Sequence, residues 1–256
     1  MKPAPPASLS AVVLYLDKEL KPAAFHDWEG AANGLQVENH GTVSKVAASV
    51  DASLATIREA VQAGADLMIV HHGLFWSPSH PWTGAKYRLL KTILDGGLAV
   101  YSSHLPLDAH PKLGNNALLA KALGLGKTRP FYIEKGAPIG LQAACKIDRE
   151  DLRARLTRAL GREPLLLPGG PAQCRQIGVV TGGAGGGLRR AAEEGVDTFI
   201  TGEGPHHTHA LSEELGVNVF YGGHYLTETF GVKALAERIS RKFKLPWFFI
   251  DHPSGL

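Results

Sequence analysis

Five residues able to bind metal follow short apolar runs in this chain: the pair His71-His72, Asp108, His224 and Glu228. The runs are Asp66–Val70, Ala99–Tyr101 and Val217–Tyr221, each reading as a buried strand. In an open α/β sheet, ligands bind at the strand ends. Three imidazoles and two carboxylates gathered there suit Zn, Mn, Fe or Ni, but not Ca or Mg alone. A carboxylate has two oxygens, so Asp108 and Glu228 are natural bridges between two ions. Such a pair supplies a metal-bound hydroxide at neutral pH and polarises the bond under attack. Hydrolysis of a phosphoester, an amide or a heteroaromatic C–N bond would all use that apparatus. His104, four residues before Asp108, can ligate, orient Asp108 or shuttle a proton in a catalytic role.

The elements that must position these groups occur twice. Glu59–Val70 and Arg190–Thr201 each read as a helix, a glycine and a strand, with Gly64 matching Gly195 and Asp66 matching Asp197. The glycine is expected in the left-handed conformation that ends a helix. The strand before each helix repeats as well, Lys45–Val50 against Gln176–Thr181. A second block, Val100–His104 with Asp108, parallels Phe220–His224 with Glu228. The H-x-x-x-[DE] element survives in both copies, whereas His71-His72 corresponds to Gly202-Glu203. The site is therefore expected to draw on both copies and to sit where they meet.

Extra residues in the first copy fall between His72 and His104 and include the aromatic, Pro-rich stretch Phe75–Trp82. That loop reads as a surface excursion, or as a lid or oligomer contact beside the histidines. Gly182–Gly187 follows a strand and precedes a helix. It reads as a flexible turn, and as the place to look for phosphate if the substrate carries any. His206, His207 and His209 read as a surface loop.

Bulk properties exclude several classes. With 256 residues, 44% hydrophobic and 20% charged, the chain can bury a large core. A net charge of +3 and no Lys/Arg block argue against nucleic acid as a partner; the arginines of Arg153–Arg162 read as a solvated helix face. Cys145 and Cys174 are the only cysteines and read as buried small hydrophobes in a reducing compartment. The N-terminal apolar stretch, Ala11–Leu16, is too short for a signal core, and Ser8 or Ser10 reads as a helix N-cap. No run approaches a membrane span. The expected localisation is cytoplasmic.

These residues resemble the NIF3-like family, whose members carry the label GTP cyclohydrolase 1 type 2 homolog. Asp27-Trp28 with Asn33–Val37 is similar to the family's D…NGLQV segment, and His71–Phe75 resembles its HHPLF motif with Gly73 where Pro is usual. Tyr101–Asp108 resembles YSxHTxxD, Thr201–Glu203 resembles TGE, and Gly223–Glu228 resembles GHYxTE. The resemblance covers nearly the whole chain in the family's short form. It implies a dinuclear metal site on His71, His72, Asp108, His224 and Glu228, with two divalent ions per chain. It also implies two related α/β domains intertwined in sequence, and a toroidal homohexamer with sites facing an inner cavity.

The expected architecture is thus α/β, two similar repeats with mixed sheets flanked by helices. Residues 1–128 with 221–256 form the first domain, which carries most of the metal ligands, and 129–220 form the second. A helix over Thr227–Phe243 is expected from the apolar spacing of Val232, Leu235, Ala236 and Ile239. The expected function is metal-dependent hydrolysis of a small molecule or nucleotide. A non-catalytic metal-stabilised scaffold and a nucleotide-binding regulatory protein are the competing classes.

Overall fold

Strands rich in Val, Ile, Leu and Ala without polar alternation are those of sheets covered on both faces, and the structure is built on such strands. The computed structural model describes residues 5–76 and 81–256; residues 77–80 of the aromatic stretch, His80 included, lie outside them. The chain forms two compact units. One takes the chain up to Leu107 together with Gly231–His252, and the other takes Asp108–Phe230 with Pro253–Leu256.

In the first unit, Val46–Asp51, Leu67–His72 and Ala99–Ser102 lie side by side in parallel. Trp247–Phe249 adds a parallel strand on one edge and Gly34–Val37 an antiparallel one on the other. Val46–Val50, Leu67–Val70 and Ala99–Tyr101 are wholly buried. Ile57 and Ala60 of helix Leu54–Gln62 and Ile93 of helix Gly84–Asp95 pack on Met68, Val70 and Val100. Val232, Leu235, Ala236 and Ile239 are fully buried, as their helical spacing requires.

The second unit repeats this plan. Gln173–Val179, Thr198–Thr201 and Asn218–Tyr221 run parallel, with Leu165–Pro168 antiparallel on the third. The hairpin Thr128–Glu134 and Ala137–Asp148 extends the other edge, giving six strands. Leu152, Leu156 and Leu160 of helix Arg149–Leu160 join Ile177, Val179, Ile200 and Phe220 in the core. Arg153, in the same helix, pairs with Glu150 and Glu163, and Arg155 donates to the Leu123 carbonyl.

The duplication is visible in detail. Gly64 and Gly195 both adopt positive φ, 71° and 86°. Two residues later, Asp66 accepts the backbone N–H groups of Ser44 and Lys45, and Asp197 accepts those of Arg175 and Gln176. Asp66 pins the entry to the preceding strand, and Asp197 pins the first half of its own.

Two local readings need adjusting. The long helix spans His224–Phe243, three residues earlier than its apolar spacing indicated, with His224, Tyr225 and Leu226 opening its first turn. Ser8 occupies the first N-cap, but its hydroxyl bonds Ser10 Oγ and not the backbone. Gly73 is absent from the positive-φ glycines. Its lack of a side chain instead admits the Gln36 amide, which a Cβ would meet at 2.3 Å.

Candidate metal centre

Parallel register brings the histidines of the first unit together. Val70 pairs with Ser102, so the residues just beyond, His71-His72 and Ser103-His104, emerge side by side. The His71 ring centroid lies 4.8 Å from that of His72 and 4.9 Å from that of His104. A ligand nitrogen from each of the three falls within 4.8 Å of the others. His104 therefore stands inside a potential ligand cluster as well as next to a potential proton path.

Each ring is held from behind. His71 Nδ1 lies 2.8 Å from the Ser103 carbonyl, and His72 Nδ1 lies 2.8 Å from Asp51 Oδ1. His104 Nδ1 is 2.8 Å from Asp27 Oδ1. An oxygen acceptor on Nδ1 fixes the tautomer, and metal ligation then falls to Nε2. Asp27 is itself bracketed, with Oδ2 accepting from Asn33 Nδ2 and from Leu105 N. Burial opposes its charge, but His104, Asn33 and the Trp28 N–H outweigh burial and hold its pKa below the ordinary carboxylate value. Asn33 Oδ1 also accepts the His104 N–H. Gln36 accepts from Leu74 N while donating to Ala31 and Ala32. The Asn33–Val37 segment is thus a clamp on the two histidine-bearing turns.

In the second unit, His224 opens its helix and Glu228 follows one turn later, so both lie on one helical face. His224 Nε2 is 3.2 Å from Glu228 Oε2, and Nδ1 is 2.8 Å from Glu203 Oε1. Burial disfavours the charged ring, but Glu228 and Glu203 together raise its pKa to about 9. Asp108 ends helix Leu105–Asp108, and its Oδ1 accepts from Asn115 and Thr181. Next to Thr181, Gly182 has φ +73°, and a Cβ there would lie 2.2 Å from Glu228 Oε1. Its N–H donates to Thr227 Oγ1, and its carbonyl accepts from Gly202 and Glu203. Asp108 and Glu228 therefore flank the Thr181-Gly182 turn.

Gly185 lies against Glu203 and Gly204, and Gly187 against the Tyr132 hydroxyl. These two glycines serve close packing against the Glu203-Gly204 backbone and Tyr132. His206, His207 and His209 are exposed and join no metal-capable group among the described residues.

In the sequence, Asp27, Asn33 and Glu203 stand only as motif residues and Asp51 is not singled out, and none of the four is assigned a role as a support. A signal existed for Glu203, which occupies in the second copy the place of His72. Asp51 ends its strand as His72 ends the next, and the two are register partners.

Comparison with known proteins identifies the family. The family model described as Duf34/NIF3 (NGG1p interacting factor 3) matches residues 7–254. The chain belongs to the NIF3 family. A relative from Deinococcus radiodurans named GTP cyclohydrolase 1 type 2 homolog is 40% identical, over 96% of this chain and 93% of its own. One of the same name from Halobacterium salinarum is 43% identical, over 89% of this chain and 92% of its own. The crystal structure of TTHA1606 from Thermus thermophilus superimposes with a TM-score of 0.89 at 41% identity, covering 98% of this chain and 100% of that one. This NIF3 family chain has no helix long and apolar enough to cross a membrane among its described residues.

Proposed function

We propose that His71, His72, Asp108, His224 and Glu228 hold two divalent metal ions, Zn, Mn, Fe or Ni, and that the protein is a metal-dependent hydrolase. One observation carries the reading: His71, His72, His104 and His224 each have Nδ1 fixed by an oxygen at 2.8 Å. This is the outer-shell arrangement that orients ligating imidazoles. Bound metal would supply water activation at neutral pH and polarisation of the scissile bond.

The protein's own part is positional. Asp27 holds His104 with its Nδ1 protonated, so Nε2 is the nitrogen that would accept and return a proton during hydrolysis. Asn115 and Thr181 fix one oxygen of Asp108 and thereby orient the carboxylate. Gly182 gives Glu228 room to lie against the backbone. The name shared by the relatives, GTP cyclohydrolase 1 type 2 homolog, adds a nucleotide to the candidate substrates. The reading includes a homohexamer acting in the cytoplasm, as the motif resemblance implies.

The test is metal analysis of wild type and Glu228→Ala, paired with a broad hydrolase screen. Divalent metal should be present in the wild type and depleted in the variant, with activity following metal. Equal metal content would remove Glu228 from the ligand set, and activity indifferent to metal would remove the mechanism.

A further inference from the structure

We propose that the Trp76 indole is a stacking surface for a planar heterocyclic ring of the substrate. This deepens the hydrolytic reading and rests on the imidazole cluster being the reacting centre. Trp76 follows the His71-His72 turn by four residues. Its ring centroid lies 4.8 Å from that of His104, with planes at 82°, and 5.7 Å from that of His72, at 88°. Whatever packs on the indole is therefore brought beside these two imidazoles.

The indole is also set on a fixed backbone. A Cβ on Gly30 would lie 2.6 Å from Trp76 Cα, so the 27–33 turn and the Trp76 backbone are in direct contact. Two residues earlier, Leu74 N donates to Gln36 Oε1 at 2.7 Å. These contacts hold the ring's base while 37% of the residue remains exposed. Phe75 on the same segment and Trp28 on the opposing turn are 38% and 48% exposed.

A single exposed aromatic needs no explanation, but several large rings together mark a binding surface. A tryptophan that only filled core space would be buried. Here the half-exposed Trp76 indole edges a polar, histidine-lined centre. That combination suits a ligand with one flat apolar face and one hydrolysable polar group. A purine or similar heterocycle has both, and base–aromatic stacking tolerates many ring types.

The experiment is titration calorimetry of the metal-loaded protein with guanosine 5′-monophosphate and with ribose 5-phosphate, which lacks the ring. Wild type should bind the nucleotide about ten-fold more tightly or better. Trp76→Ala should erase that difference and Trp76→Phe should keep most of it. Tyr87→Ala, on the exposed face of helix Gly84–Asp95, serves as control and should behave as wild type. Unchanged nucleotide affinity in Trp76→Ala, or no preference over ribose 5-phosphate in the wild type, overturns the proposal. A change in oligomeric mass with nucleotide binding intact would overturn it too, by showing that the ring is a subunit contact. Metal content, measured on the same samples, reports separately on the hydrolytic reading. A Trp76-dependent preference that persists in metal-free protein would leave stacking in place while the metal reading stood or fell alone.

Discussion

Asp27 Oδ1 lies 2.8 Å from His104 Nδ1 across 77 residues of sequence, and the aspartate side chain is only 6% exposed. The N-terminal turn thus supplies the carboxylate that fixes the imidazole beside His71. Replacing Asp27 by Asn keeps the shape but removes the charge and allows the ring to turn. Turnover of the best substrate from a hydrolase screen should fall about 10- to 100-fold, with metal content largely retained. A rate equal to wild type would show that His104 needs no orientation.

Removal of metal should be visible in stability. Groups poised for ligation bind metal in the folded state only, so the loaded protein gains stability by mass action. Treatment with a chelator is expected to lower the melting temperature, and His71→Ala should melt near the chelated wild type and respond little to chelator. A chelator effect of equal size in both proteins would remove His71 from the ligand set.

Gly182 and Gly195 offer a paired comparison. Both have positive φ, but a Cβ on Gly195 meets nothing within 4 Å while one on Gly182 runs into Glu228. Gly195→Ala should cost about 1–2 kcal/mol for the left-handed backbone alone and leave metal binding intact. Gly182→Ala should cost more and also displace the Glu228 carboxylate. Urea unfolding with metal analysis separates the two, and equal behaviour would contradict the contact.

Asp66 and Asp197 perform the same task in the two copies, each accepting two backbone N–H groups in or next to the preceding strand. Bonds to a charged acceptor contribute about 1.5–3 kcal/mol each before solvent screening, and both residues are partly exposed. Asp66→Ala and Asp197→Ala are each expected to lose on the order of 1–2 kcal/mol in denaturant titrations. A loss confined to one of them would show that the duplicated role has been abandoned in the other.

Much of this protein was legible in its sequence. Uninterrupted apolar runs specified parallel, doubly covered strands. The Gly64/Gly195 and Asp66/Asp197 matches specified a duplicated unit, and the structure repeats three parallel strands with an antiparallel neighbour in each copy. The H-x-x-x-E spacing placed His224 and Glu228 on one face of a turn, because residues four apart meet on a helix. Such signals are local: they depend on periodicities of two and 3.6 residues within a single element.

The supports of the histidines lay beyond that reach. His72 meets Asp51 because two strands pair in parallel with those residues in register. His224 meets Glu203 across 21 residues, and Asp27 meets His104 only after the N-terminal turn folds against the strand ends. At Gly73 the fold uses the missing side chain as space for Gln36. A sequence states which side chains can bind a metal, since that is a property of each residue. Which oxygen faces which imidazole depends on strand register and loop closure, which tertiary packing alone sets.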